Sequence, residues 1–257
     1  MFSRRTRALV AALPIATVLL ASCSEAPANP APVNPAPAAP AAPAQDTASA
    51  CSAEVALNET IPPGADPDSP APSAGEMQAW ATSVATPFAT LRDNAPDSLS
   101  SSIAVLGGLI DQAKQGKRID VSDDAVTKAS NAVDGWVHDS CGYQTVDLTS
   151  TGGKLGPTPA ALKSGPVSLK FSSSGDPAAF VLLLARVKDG QTVTAADVDA
   201  GKADFDKAAD VVGAAQPSGT EPGYGTATVK SGKYLLVSPL GQPPNFTGTT
   251  ALDVTVN

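Results

Sequence analysis

The sequence predicts an α+β protein, a small N-terminal helical bundle followed by a C-terminal β-sandwich, carried behind an export signal. Three observations predict it. Apolar residues recur at three- and four-residue steps between Met77 and Val137, the period of amphipathic helices. From Thr145 onward they give way to short apolar runs separated by Gly, Pro, Ser and Asp clusters, the signature of strands joined by turns. The first 22 residues combine a basic start with a short apolar stretch, as secretion signals do.

In chain order, residues 1–22 read as the signal peptide. Arg4, Arg5 and Arg7 precede an apolar run from Ala8 to Leu20, too short to span a bilayer as a mature helix. Leu20-Ala21-Ser22-Cys23 resembles the bacterial lipobox, in which the cysteine thiol receives a diacylglycerol and becomes the new N-terminus. The resemblance implies lipidation at Cys23 and a place on the extracytoplasmic face of the cell membrane, the partner there being membrane lipid. Two acyl chains hold a protein stably where one is marginal. Sec export suits the signal better than the twin-arginine route, because Arg7 stands where that motif wants an apolar residue.

Residues 23–50 form the lipidated cysteine and a linker rich in alanine and proline, "APANPAPVNPAPAAPAAPAQ". Such a composition buries too little apolar surface to fold and favours an extended form; about 27 residues at roughly 3.1 Å each reach up to about 80 Å. Losing three arginines with the signal takes the net charge from -8 to -11. An acidic chain without a basic stripe lacks the counterion-releasing surface that nucleic-acid binding needs, which excludes that partner class.

Cys51 and Cys141 remain once Cys23 is lipidated. In an oxidising compartment two leftover thiols pair as a disulfide. A redox-active pair would want close spacing and a nearby positive charge, and neither is visible.

The helical domain is expected over residues 51–143. Met77, Trp80, Val84, Phe88 and Leu91 mark a first helix, which Pro87 should kink or end. Leu99, Ile103, Leu106 and Ile110 mark a second behind Pro96-Asp97, and Val126, Ala129, Val133, Trp136 and Val137 a third behind Ser122-Asp123. The sandwich is expected over residues 144–257. Its strands are anticipated at Thr145 to Leu148, Val167 to Phe171, Phe180 to Val187, Thr226 to Val229, Tyr234 to Val237 and Ala251 to Val256. A helical excursion is expected from Thr194 to about Gly213.

The segments "GPVSLKFSSSGDPAAFVLLLARVKDG", "PGYGTATVKSGKYLLVS" and "PPNFTGTTALDVTV" together resemble cupredoxin-like domains of secreted actinobacterial proteins, some of which carry a leading disulfide-closed helical domain. The resemblance implies a Greek-key sandwich. It also implies where copper ligands would stand: Ser238 falls at the family's cysteine, Asn245 at the histidine of its "Pro-His-Phe" segment, Thr249 at its methionine, and Ala179 or Phe180 at its first histidine. Copper of that type needs imidazole nitrogens, a thiolate and a weak thioether. The positions Ser238, Asn245 and Thr249 are therefore degenerate, and no metal and no cofactor is expected.

His138 is the sole histidine, and near the end of the third helix it reads as a structural residue favoured by the helix dipole. No G-x-S-x-G elbow or phosphate-cradling glycine loop occurs, so no enzyme activity is expected. Acids such as Asp123, Asp124, Asp197 and Asp199 read as solvent-facing. Two functions remain: a non-catalytic binding module serving an unknown envelope protein or ligand, or, from the resemblance, a metal-handling or redox accessory protein.

Overall fold

Helix forms where the apolar period runs, and also in one place where it does not. The computed structural model describes residues 45–64, 70–121 and 123–257; the signal peptide, Cys23 and most of the linker lie outside these residues. A first helix, α1 (Thr47–Asn58), begins inside the segment assigned to the linker. Its alanines share the linker's composition, but prolines cease between Pro43 and Pro62, and Asp46 caps the helix by accepting a hydrogen bond from the Ser49 amide. An alanine-rich stretch free of proline behind an N-cap is helix rather than polyproline.

The three anticipated helices follow as α2 (Ala74–Asn94), α3 (Ser100–Lys114) and α4 (Asp124–Ser140). Pro87 does not end α2, which runs through it. The carbonyl that loses its partner belongs to the exposed Ser83, where water can compensate, so the interruption is tolerated. Small residues of α1 let it approach α2 closely. Ala50 and Ala53 pack with Leu91, Leu99, Ile103 and Val133 in one cluster, while Met77, Val84, Ile110 and Ile119 form a second. The Cys51–Cys141 disulfide ties α1 to the end of α4 across 90 residues, with the Cα atoms 5.8 Å apart.

The second half holds β1 (Gln144–Thr151), β2 (Lys154–Gly156), β3 (Gly165–Ser174), β4 (Leu182–Val187), α5 (Ala195–Asp199), α6 (Phe205–Ala208), β5 (Ala209–Ala215), β6 (Gly223–Val229), β7 (Gly232–Gln242) and β8 (Asn245–Val256). Two four-stranded sheets result, ordered β2-β1-β3-β6 and β5-β4-β7-β8. All neighbours are antiparallel except β1 and β3, which run parallel. Every anticipated strand is present. The helical excursion is shorter than expected: α5 stops at Gly201, which takes φ +62°, and from Ala209 the chain is strand, because β4 recruits it as an edge partner. Alanine-rich "KAADVVGAA" carries no strong local preference, and pairing decides it.

Both sheets close over one core. Val146, Leu148, Leu169 and Phe171 from the first meet Leu182, Leu184, Tyr234 and Leu236 from the second. Each fully buried aliphatic or aromatic side chain contributes roughly 1.5–3 kcal/mol. The Tyr234 hydroxyl donates to the Lys230 carbonyl at 3.0 Å and accepts from its amide at 2.9 Å, closing the turn between β6 and β7. The outer face of the second sheet is covered by α5, where Val198 packs with Leu235, Val237 and Ala251. The outer face of the first sheet receives α4 and α1, so helices and sheets together make one compact unit within residues 43–257.

At the edge where β5 crosses β6, a Cβ on Gly225 would overlap the Ala214 carbonyl oxygen. Gly225→Ala should therefore force β5 off β6 and lower the melting temperature by several degrees, typical of overpacking that costs about 1–3 kcal/mol; an unchanged melt contradicts this packing. Cys51→Ser removes a constraint worth at most about 4–5 kcal/mol. Limited proteolysis should then cut α1 before the β region, and equal resistance of variant and parent would refute the assignment of the staple to the helical layer.

Candidate functional site

The positions singled out by the cupredoxin resemblance do not converge. Directly paired residues of an antiparallel ladder share a face, and neighbours along a strand alternate. Ser238 pairs with Thr250 and lies in phase with Leu236, so it faces the core between the sheets. It is fully buried, and its hydroxyl donates to the Val181 carbonyl at 2.6 Å. Thr249 lies in phase with Ala251, on the opposite face, and its hydroxyl donates to the Val198 carbonyl of α5 at 3.1 Å. Asn245 pairs with Gln242 at the hairpin end, four residues and about 13 Å along β7 from Ser238. Ala179 bridges Leu240, and the Phe180 amide donates to the Pro239 carbonyl at 2.9 Å, so this pair does sit beside the end of β7. Phe180 meets the exposed Phe246 ring at 6.0 Å. Hydroxyls already spent on backbone carbonyls and a distant amide make no copper donor set.

His138 is held structurally. Its Nε2 lies 2.9 Å from Asp147 on β1, its Nδ1 lies 3.2 Å from Asp139, and its ring meets Tyr224 edge-on at 5.6 Å. Of the acids, Asp123 caps α4 and Asp197 forms a capping box with Thr194 at α5.

A polar cluster that the sequence reading did not single out lies where α1, α4 and β6 meet. Glu54 and Asp134 are 4% and 3% exposed. The Asn58 amide nitrogen joins them: it lies 3.2 Å from Glu54 Oε1, 2.9 Å from Asp134 Oδ1 and 2.6 Å from Thr226 Oγ1. Two N–H groups thus serve three acceptors. Glu54 Oε2 has no partner, nor does the buried hydroxyl of Ser168, which stands directly across from Thr226 on β3. Among the described residues, no lysine, arginine or histidine forms an ion pair with either carboxyl.

Burial disfavours the charged forms of both acids. It pushes Asp134 up to about 7 against the hydrogen bonds from Asn58 and Thr226. Burial and then the neighbouring Asp134 charge hold Glu54 well above the usual carboxyl range, with the Asn58 bond opposing. The pair shares protons rather than ionising twice.

Glu54 also lines a cavity of about 200 Å³ among α1, α2, α3 and α4, whose other walls include Trp80, Phe88, Leu106, Leu109 and Ile110. The Trp80 indole N–H donates to the Thr60 carbonyl at 2.9 Å, leaving the ring as its contribution to the wall. The signal that could have found this site is the spacing of Glu54 and Asn58, four apart on one helix face, in a stretch of the expected helical domain to which no helix was assigned.

No family model matches the chain, and no curated protein matches it. Among solved structures the chain is similar to one described as "The three dimensional structure of NK cell receptor Nkp44, a triggering partner in natural cytotoxicity", at 7% identity, over 45% of this chain and 98% of that one, with a TM-score of 0.21. A superposition that loose carries no argument about fold or function.

The carboxyl pair gives stability a definite pH dependence. Asp134 is raised in the folded chain from an ordinary value of 3.8 to about 7, so the unfolded state gives up its proton first. Stability is then fully present below the unfolded value and falls by roughly 1.4 kcal/mol for each pH unit between the two. Asp134→Asn, which keeps shape but cannot ionise, should flatten that slope and melt above the parent at pH 8. Parallel melting curves from pH 4 to pH 8 for variant and parent would refute the shift.

Proposed function

We propose that this chain is a membrane-anchored extracytoplasmic lipoprotein, held through acylated Cys23, that acts as a non-catalytic binding module for a ligand or protein of the cell envelope. The observation that carries the reading is the cavity in the helical layer, walled mainly by apolar and aromatic side chains, with Glu54, Asn58, Thr60 and Ser130 as its polar lining. Ligand sites are commonly of this kind, concave and apolar with a few fixed polar groups. The lipobox resemblance and the proline-rich linker support display beyond a membrane surface. Among the described residues no helix is long and apolar enough to cross a membrane.

A second reading, a metal-handling or redox accessory protein, draws on the sandwich being cupredoxin-like. Two sheets ordered β2-β1-β3-β6 and β5-β4-β7-β8 with β1 parallel to β3 favour that Greek-key type. Its copper chemistry is not favoured, because Ser238 and Thr249 face opposite sides of their sheet and spend their hydroxyls on carbonyls. We take the sandwich as a scaffold whose copper positions have been replaced.

Native mass spectrometry of the protein solubilised from its own membrane tests the reading. A mass equal to the acylated chain plus one reproducible small molecule or protein is expected. An unacylated chain, or a bare one after gentle extraction, would overturn it. Titration with Cu(I) and Cu(II) should leave absorbance and melting temperature unchanged; a saturable shift moves the protein to the metal-handling class.

A further inference from the structure

The helical layer meets the first sheet at a joint built from two buried acids. Glu54 on α1 and Asp134 on α4 are 4% and 3% exposed, and the Asn58 amide donates to both and to Thr226 on β6. Two N–H groups face the oxygens of two carboxyls, and Glu54 Oε2 has no partner. Such a set suits protonated acids, because ionising both would put two like charges in one desolvated place. The surroundings supply no compensation. From α2 and α3 the joint is approached by Trp80, Val84, Phe88, Leu106, Leu109 and Ile110, none of which titrates. On α4 itself His138 is held by Asp139 and by Asp147 of β1. On the sheet, Lys170 of β3 lies over the Tyr224 ring of β6. Past Asn58 come Glu59, Arg186, Asp210 and Lys230. Among the described residues, none of these forms an ion pair with Glu54 or Asp134.

We propose that this joint is a proton-controlled clasp: with its two acids protonated it holds α1 and α4 on β6, and loss of those protons lets the helices lift from the strand while the sandwich stays folded. Packing makes the opening local. The sandwich core draws only on residues from Val146 onward, and the two helical clusters only on residues up to Trp136, so no buried apolar cluster spans the joint. The disulfide lies within the helical layer, between α1 and the end of α4, and keeps those helices together as they lift. Regions joined in this way open as units below the cost of global unfolding. The direction with pH follows from burial. Asp134 stands at about 7 in the closed joint against an ordinary 3.8, and Glu54 is also raised; an open joint returns both to water. Closure is therefore fully favoured below the ordinary carboxyl range. It weakens about tenfold for each pH unit that Asp134 alone contributes up to about 7. The clasp goes beyond the binding reading and is tested in the free chain.

The Tyr224 amide reports the clasp, since it donates to Asn131 Oδ1 on α4 at 2.8 Å. Leu236, fully buried on β7 between β4 and β8, reports the sandwich. Amide exchange of the full chain, followed by NMR and corrected for the intrinsic rate at each pH, is the measurement. Protection at Tyr224 should fall about tenfold or more per unit from pH 5 to pH 7 and lie at least about tenfold below that of Leu236 at pH 7. The double variant E54Q/D134N should flatten the Tyr224 profile, whereas His138→Gln should leave it sloping. A Tyr224 profile that is flat in the parent, equal to that of Leu236 throughout, unchanged in E54Q/D134N, or flattened by H138Q overturns the proposal. If the double variant does not fold, D134N takes its place and should halve the logarithmic slope or better; an unchanged slope there overturns the proposal equally.

Discussion

The side-chain amide of Asn58 is the constraint on which the arrangement of this molecule turns. It ends α1, and from there it reaches a carboxyl on its own helix, a carboxyl on α4 and a hydroxyl on β6. Three elements distant in sequence are thereby fixed at one point. The disulfide holds α1 to the end of α4, but a covalent tether sets only proximity. The amide sets register, because a shift of either helix by one residue would leave buried carboxyls without a donor.

The same logic extends along α4. Asn131, Asp134, Gly135 and His138 recur at three- and four-residue steps and form a second stripe beside the apolar one. Asn131 receives the Tyr224 amide at 2.8 Å and donates to the Gln216 carbonyl at 2.9 Å. Gly135 lies against the Tyr224 ring, which a Cβ at that position would meet at 3.4 Å, and His138 reaches Asp147. The helix thus docks on the sheet through polar groups, and faces the other helices through Val126 and Val133. A joint of this kind contributes less net stability than a hydrophobic one, since each group must first be desolvated. What it adds is a single allowed geometry, because each hydrogen bond works at only one position of the helix on the strands.

How much of this was legible follows from which forces leave a pattern. Burial leaves one, and so the stripe from Met77 to Leu91 and runs such as "FVLLLARV" mark their helix and strand directly. Composition misleads where two structures share it. The alanines of Thr47–Asn58 look like the preceding linker, and "KAADVVGAA" looks like the preceding helix. In the first case the end of the prolines was the clue; in the second, only the vacant edge of β4 decides, which is tertiary information. The polar stripe of α4 was hidden for a different reason. Polar residues opposite an apolar face read as solvated, and nothing local distinguishes water from a sheet surface carrying Thr226 and Tyr224.

The positions singled out in the sandwich by the resemblance fit the same account. A buried hydroxyl is tolerated where a carbonyl lies within reach, and Ser238 has Val181 for that purpose. The core beside it is complete without any further ligand: Leu184, Leu236 and Val254 close it from three strands. At the end of β7 the hydroxyls of Ser238 and Thr247 both donate to backbone carbonyls. Among the described residues, the buried side-chain atoms without a partner are split between the helical joint, on Glu54 and Ser168, and the strands, on Ser150 of β1 and Arg186 of β4. What sets the helical joint apart is therefore not the unmet hydrogen bonds but its pair of buried carboxyls, Glu54 and Asp134, held by one shared amide.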